Sequence, residues 1–157
     1  SWLLITFLSM DKSKFIQDLL DMENESILEN PSDVASYKRR AAINREIDPL
    51  SAISDLTKVL EIDPSQTDIY LQLGAIKRNI GNVEDAFKDI NKFLEIVPDS
   101  IVGLANLGWL YLLIDKSTSA IETFKKCCGF EAKNNIELEH QVEVLEFLNE
   151  LSKKEEE

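Results

Sequence analysis

The segment Leu60-Glu61-Ile62-Asp63-Pro64 returns as Leu94-Glu95-Ile96-Val97-Pro98. Self-similarity at a fixed period of this length constrains a chain strongly. Each unit is one supersecondary element that cannot bury its apolar face alone, so successive units must stack. Other residues keep the same spacing. Between Thr67 and Ser100 the order is Tyr70, Leu73-Gly74, Gly81-Asn82, Ala86, Ile90 and Pro98. Between Ile101 and Asn134 it is Leu104, Leu107-Gly108, Tyr111, Ala120 and Phe124. Between Asp33 and Gln66, Ile43, Ala52, Leu56 and Pro64 hold the corresponding slots, and Pro31 in Leu28-Glu29-Asn30-Pro31 is a weaker echo.

The residue types in these slots describe a helical hairpin. Gly74, Gly108, Ala52, Ala86 and Ala120 are small where two helices must approach closely, and Leu73, Leu107, Ile90 and Phe124 fill the seam beside them. Pro64 and Pro98 cannot continue a helix and so punctuate the second helix of each pair. Asp48-Pro49 reads as an N-cap followed by proline at the first helical position. Gly81-Asn82 and Asp115-Lys116-Ser117 supply the matching turns in the next two blocks. No β-branched alternation argues for a sheet.

This order of slots resembles the tetratricopeptide repeat (TPR) family, whose signature is Trp-x-x-Leu-Gly-x-x-Tyr, then Ala-x-x-x-Phe, then Pro. The resemblance covers three tandem repeats, residues 33–66, 67–100 and 101–134. It implies an all-α fold, a right-handed superhelix of antiparallel helix pairs. There are departures. Arg39-Arg40 stand in the Leu-Gly slots of the first repeat and Lys77 in the Tyr slot of the second. Ala132 replaces the closing proline of the third, which lets its second helix run further.

The flanks read as caps. In residues 135–157, Leu138, Val142, Leu145, Leu148 and Leu151 form a stripe at helical spacing, followed by an acidic tail. In residues 1–32, Phe15, Ile16, Leu19, Leu20 and Met22 mark the second helix of a decayed extra repeat, with residues 1–10 as its first. That opening stretch is nearly all apolar but too short to span a bilayer, and it lacks the basic start of a signal peptide. It reads either as the end of a cut targeting segment or as an apolar helix that packs on the array, on a partner or on another copy. Met10-Asp11-Lys12 resembles an initiation site, which puts the native status of residues 1–9 in question.

Charge and chemistry narrow the function. The net charge is −12, but residues 1–32 hold 2 basic against 6 acidic residues and residues 135–157 hold 2 against 8, so the repeats carry little of it. Nucleic-acid affinity comes largely from Lys and Arg on phosphates, and no basic face of that kind is present. Cys127 and Cys128 are adjacent and read as reduced thiols, which fits a cytoplasmic, reducing compartment. The single histidine, His140, has no ligand partner at useful spacing. No phosphate loop, nucleophile elbow or metal motif appears, so the chain reads as a protein-binding scaffold or adaptor, not an enzyme, with no cofactor.

In the family, first helices line a concave groove that binds peptides or helices. Helical spacing assigns that face to Val34, Tyr37, Lys38, Ala41, Asn44 and Arg45 in the first repeat. The second contributes Asp68, Leu71, Gln72, Ala75, Arg78 and Asn79, and the third Val102, Ala105, Asn106, Trp109, Leu112 and Leu113. Arg45 and Arg78 would pair with carboxylates and Trp109 would supply apolar area, which suits a partner with an acidic end and a hydrophobic end. The alternative for Trp109, Leu112 and Leu113 is packing under the C-terminal helix or the apolar N-terminus. In co-chaperone members a two-carboxylate clamp of Lys, Asn, Asn, Lys and Arg grips an acidic chaperone tail. Here those slots hold Tyr37, Ala41, Gln72, Val102 and Asn106, so that ligand is not expected. The competing role is a structural subunit of a larger complex.

Overall fold

In the computed structural model the backbone is described for residues 2–155 and the side chains for residues 12–154. The apolar side chains of residues 1–10, on which the self-association expectation rests, lie outside the described residues. All described regular structure is helical. The chain divides into two compact units, Ser1–Ile69 and Tyr70–Glu157.

The first unit contains α1 (Trp2–Glu29), α2 (Val34–Asn44) and α3 (Pro49–Ile62). Here the expected helix pair before residue 33 is not found. α1 runs unbroken from Trp2 to Glu29, because the stretch joining its halves contains neither Gly nor Pro to interrupt it. Asp33 caps α2 by accepting from the Ala35 N–H at 3.1 Å and the Ser36 hydroxyl at 2.5 Å. Asp48 caps α3 by accepting from Ser51, with Pro49 at the first turn as the sequence indicates. Ala41, Ala52, Leu56 and Val59 are buried in this unit.

Arg39 and Arg40 occupy slots that elsewhere hold Leu and Gly, and the structure gives each a partner. Arg39 forks onto Glu23 of α1 at 2.7 and 3.0 Å. Arg40 forks onto Asp55 of α3 at 2.9 and 2.6 Å, donates to Asn24 of α1 at 2.7 Å, and lies over the Tyr37 ring. These planar bidentate pairs tie α2 to both neighbours. The cost of desolvating Asp55, whose side chain is 5 % exposed, is offset by the paired guanidinium.

The second unit holds most of α4 (Asp68–Asn79), then α5 (Val83–Ile96), α6 (Ile101–Leu113), α7 (Ser117–Cys128) and α8 (Asn135–Glu155). Small residues set how closely the pairs approach. A methyl group on Gly74 would lie 2.5 Å from Ile90 Cδ1, and one on Gly108 would overlap the Phe124 ring. Lys77, in the Tyr slot, reaches Asp89 of α5 at 2.6 Å and so replaces an aromatic contact with an ion pair. The α4–α5 turn places Gly81 at φ 80°, and the equivalent turn of the next repeat places Asp115 at φ 58°.

α7 departs from expectation. The absence of a closing proline was expected to prolong it, yet it stops at Cys128. Gly129 follows, a poor helix former. The carbonyls released there are taken up by α8: the buried Gln141 amide donates to Cys127 O at 3.0 Å and to Phe130 O at 2.7 Å. α8 then packs Val144, Phe147 and Leu148 on Ile101, Leu104, Phe124 and Cys127.

Candidate peptide-binding cleft

Three helices of the second unit converge on an open cleft of about 340 Å³. Its lining is Arg78 and Asn79 from the end of α4, Trp109, Leu112 and Leu113 from the end of α6, and Glu143 from α8. The repeat register explains the convergence. Arg78 and Leu112 stand in the same slot of successive units, as do Asn79 and Leu113, and Trp109 and Glu143. Stacked first helices bring equal slots side by side, so residues far apart in sequence become neighbours.

The floor is apolar and anchored. Trp109 meets Phe124 edge-on with centroids 4.7 Å apart, and meets Phe147 of α8 at 5.2 Å. Phe124 and Phe147 close the triangle at 5.5 Å. Edge-to-face contacts of this kind favour one ring orientation. Of the two readings of Trp109 the structure therefore supports packing under the C-terminal helix, while the remainder of the half-buried side chain still lines the cleft. Beside it Leu113 is 56 % exposed, a large apolar side chain left in water.

The rim is charged. Arg78 donates to Asn79 at 3.2 Å and, among the described residues, makes no contact ion pair. Burial pulls its pKa below the ordinary arginine value, while the negative charge of Glu143 works in the opposite direction. A guanidinium remains protonated under such a shift. Its desolvation therefore leaves a cation whose charge is incompletely compensated, next to an exposed apolar surface.

Of the residues that helical spacing assigns to a groove, the structure brings Arg78, Asn79, Trp109 and Leu113 together. It places others differently. Tyr37 is buried and donates its hydroxyl to Pro31 O at 3.3 Å. Asn44 is buried in the first unit. Lys38 bonds Gln66 at 3.1 Å and Asp68 at 3.4 Å. Arg45 is exposed and meets Glu46 at 3.4 Å. Leu71 packs against the cluster of Ala86, Ile90 and Leu110. Gln72 is exposed. Asn106 is 4 % exposed, with its amide group donating to Val102 O at 2.8 Å and its carbonyl oxygen buried without a partner among the described residues. Glu143 was missed because residues 135–157 were read as a cap. Advancing one repeat period from Trp109 finds it.

Cys127 is buried, its thiol donating to Ile101 O at 3.5 Å, and burial pushes its pKa up to about 11. Burial raises the Cys128 thiol as well. Both thiols therefore stay protonated near neutral pH, the opposite of what a nucleophile needs. Among the described residues no cluster of His, Cys, Asp or Glu is placed to hold a metal, and no helix is long and apolar enough to cross a membrane.

Comparison with known proteins gives a consistent picture. The tetratricopeptide repeat family model matches residues 103–134. The SGT1 homolog protein of Bos taurus is 35% identical over 79 residues, which is 50% of this chain and 23% of that protein. Anaphase-promoting complex subunit 3 of Dictyostelium discoideum is 31% identical over 102 residues, 64% of this chain and 10% of that protein. The chain thus spans a small part of either relative. Among solved structures, a crystal structure of MamA matches with a TM-score of 0.67 at 16% identity, covering 91% of this chain and 96% of that one. MamA from Desulfovibrio magneticus RS-1, residue 41 to the end, matches with a TM-score of 0.66 at 19% identity, covering 76% and 68%. These likenesses establish a shared all-α solenoid of antiparallel helix pairs.

Proposed function

We propose that the chain is a tetratricopeptide-repeat scaffold for protein–protein interaction and that its cleft takes a peptide segment of a partner through one carboxylate and one adjacent apolar side chain. The observation that carries this reading is Arg78, a half-buried guanidinium without a contact counter-ion among the described residues, beside the exposed Leu113. A peptide carboxylate would pair with Arg78, most strongly if bidentate. An apolar side chain would remove Leu112, Leu113 and the free part of Trp109 from water, at about 25 cal/mol per Å² buried. Glu143 gives selectivity, because a second acidic residue placed near it would be repelled.

The test is selection of binders from a library of random peptides, followed by measurement on an Arg78→Glu/Leu113→Glu variant. The reading expects peptides combining an acidic and an apolar residue, with binding lost in the variant. Selected peptides that bind the variant equally well would overturn it.

A second reading, a constitutive subunit of a larger assembly, is favoured by the exposed Phe15 and Met22 on α1 and by the likeness to a subunit of the anaphase-promoting complex. It predicts that the isolated chain is poorly soluble or self-associated until residues 1–10 are removed.

A further inference from the structure

The first unit has a polar cavity of its own. It is open, of about 340 Å³, and all three helices of that unit wall it. α1 contributes Gln17 and Asn24, α2 Arg40 and Asn44, and α3 Ser54 and Asp55. Gln17 and Asn24 stand at i and i+7, and Arg40 and Asn44 at i and i+4, so each pair shares one helix face. The cavity has no residue in common with the cleft of the second unit.

Asn44 gives the cavity its chemistry. It is only 9 % exposed and lines the cavity, yet its side chain makes no hydrogen bond among the described residues. A buried amide is normally paired, and one without a partner destabilises the fold. Its neighbours also have capacity left. The Asn24 oxygen accepts from Arg40 at 2.7 Å, which leaves the Asn24 nitrogen to donate. The Gln17 nitrogen donates to Asp21 at 2.9 Å, which leaves the Gln17 oxygen to accept. The Ser54 hydroxyl has no partner among the described residues.

The charges in the wall cancel, because Arg40 forks onto Asp55 at 2.9 and 2.6 Å. A carboxylate or an ammonium entering here would give up hydration without meeting an unpaired counter-charge. A neutral group that both donates and accepts can replace the water it displaces bond for bond. The carboxamide is such a group and is self-complementary with Asn44. Its oxygen accepts from Asn44 Nδ2 while its nitrogen donates to Asn44 Oδ1, a planar pair of hydrogen bonds.

We propose that this cavity takes the carboxamide of an asparagine or glutamine side chain from a partner peptide, with Asn44 as a two-point anchor. Asn24 donates to the remaining lone pair of the ligand oxygen, and Gln17 or Ser54 accepts its second N–H. The methylene stem of the ligand rests on Leu20, which also lines the cavity. The proposal concerns a different unit from the cleft and stands or falls without it.

The test is an NMR titration of the full chain that reads the side-chain amide resonances of Asn24 and Asn44. The probes are the blocked peptide acetyl-Ala-Gln-Ala-N-methylamide and its counterparts with Glu, Lys or Met at the centre. The Gln peptide should bind about tenfold or more tighter than the others, since a site built on hydrogen bonds rejects analogues that leave them unmade. Asn44→Leu should keep its helical circular dichroism and lose that preference. Should it lose helical signal, Asn44→Ala replaces it with the same expectation. No shift with the Gln peptide, four peptides binding alike, or an Asn44 variant that still prefers Gln overturns the proposal. Tighter binding of the Glu or Lys peptide also overturns it, and shows that the Arg40–Asp55 pair opens to an ionic ligand. Sorbitol that moves the same resonances at the same concentration overturns it in favour of a hydroxyl-rich ligand.

Discussion

Trp109 of α6 and Phe147 of α8 meet edge-on at 5.2 Å, with the whole of α7 intervening in the chain. That contact makes α8 part of the cleft rather than an appendage to it. Phe147→Ala is expected to remove the support of the Trp109 ring. Full truncation of a buried phenylalanine costs about 3–5 kcal/mol, and Phe147 is partly exposed, so a loss of about 2–3 kcal/mol in urea unfolding is expected. Peptide binding in the cleft should weaken at the same time.

The seam glycines make a second prediction. A methyl group at Gly108 collides with a ring that is itself fully buried. Gly108→Ala should therefore destabilise by about 1–3 kcal/mol through overpacking, although alanine is the better helix former. A paired Gly108→Ala/Phe124→Leu variant should recover part of the loss. Denaturant midpoints of the two variants decide the matter.

Asp115 sits at positive φ where the equivalent turn has Gly81. A left-handed conformation costs a non-glycine residue about 1–2 kcal/mol, less for Asp and Asn. Asp115→Gly should leave stability unchanged or raise it by about 0.5 kcal/mol, whereas Gly81→Val should lower it. Thermal unfolding of the two variants checks both signs.

The helix caps set a pH dependence. Hydrogen bonds from Ser36 and Ser51 hold the Asp33 and Asp48 carboxyls below the ordinary carboxylate value. A carboxyl with a depressed folded-state pKa contributes stability above its unfolded pKa, about 4, and loses it as pH falls through the folded value. Stability should therefore decline on acidification below that point. Asp33→Asn/Asp48→Asn, which keeps both acceptors but cannot titrate, should show a shallower decline when unfolding is followed from neutral to acidic pH.

Much of this architecture was legible from spacing. The period, the small residues at the seams and the Asp48-Pro49 cap each report a local rule that the fold obeys. The misreadings have physical causes too. Nothing between Trp2 and Glu29 breaks a helix, so α1 is one helix where two were expected. α7 stops at Cys128, before Gly129, and the Gln141 amide, distant in sequence, donates to the carbonyls of Cys127 and Phe130 at that end. Arg39 and Arg40 could not be assigned from their slots, since their meaning lies in Glu23 and Asp55 on other helices. Tyr37, Asn44 and Asn106 sit at groove spacing, yet neighbouring helices bury them.

The measurement that bears most directly on the central claim is an amide and indole NMR titration of the full chain with a selected acidic–apolar peptide. The account predicts that shifts concentrate at Arg78, Asn79, the Trp109 indole N–H, Leu113 and Glu143, and that Arg78→Ala weakens binding at least tenfold, about 1.4 kcal/mol. Shifts confined to residues outside this cleft, or an affinity indifferent to Arg78, would contradict it.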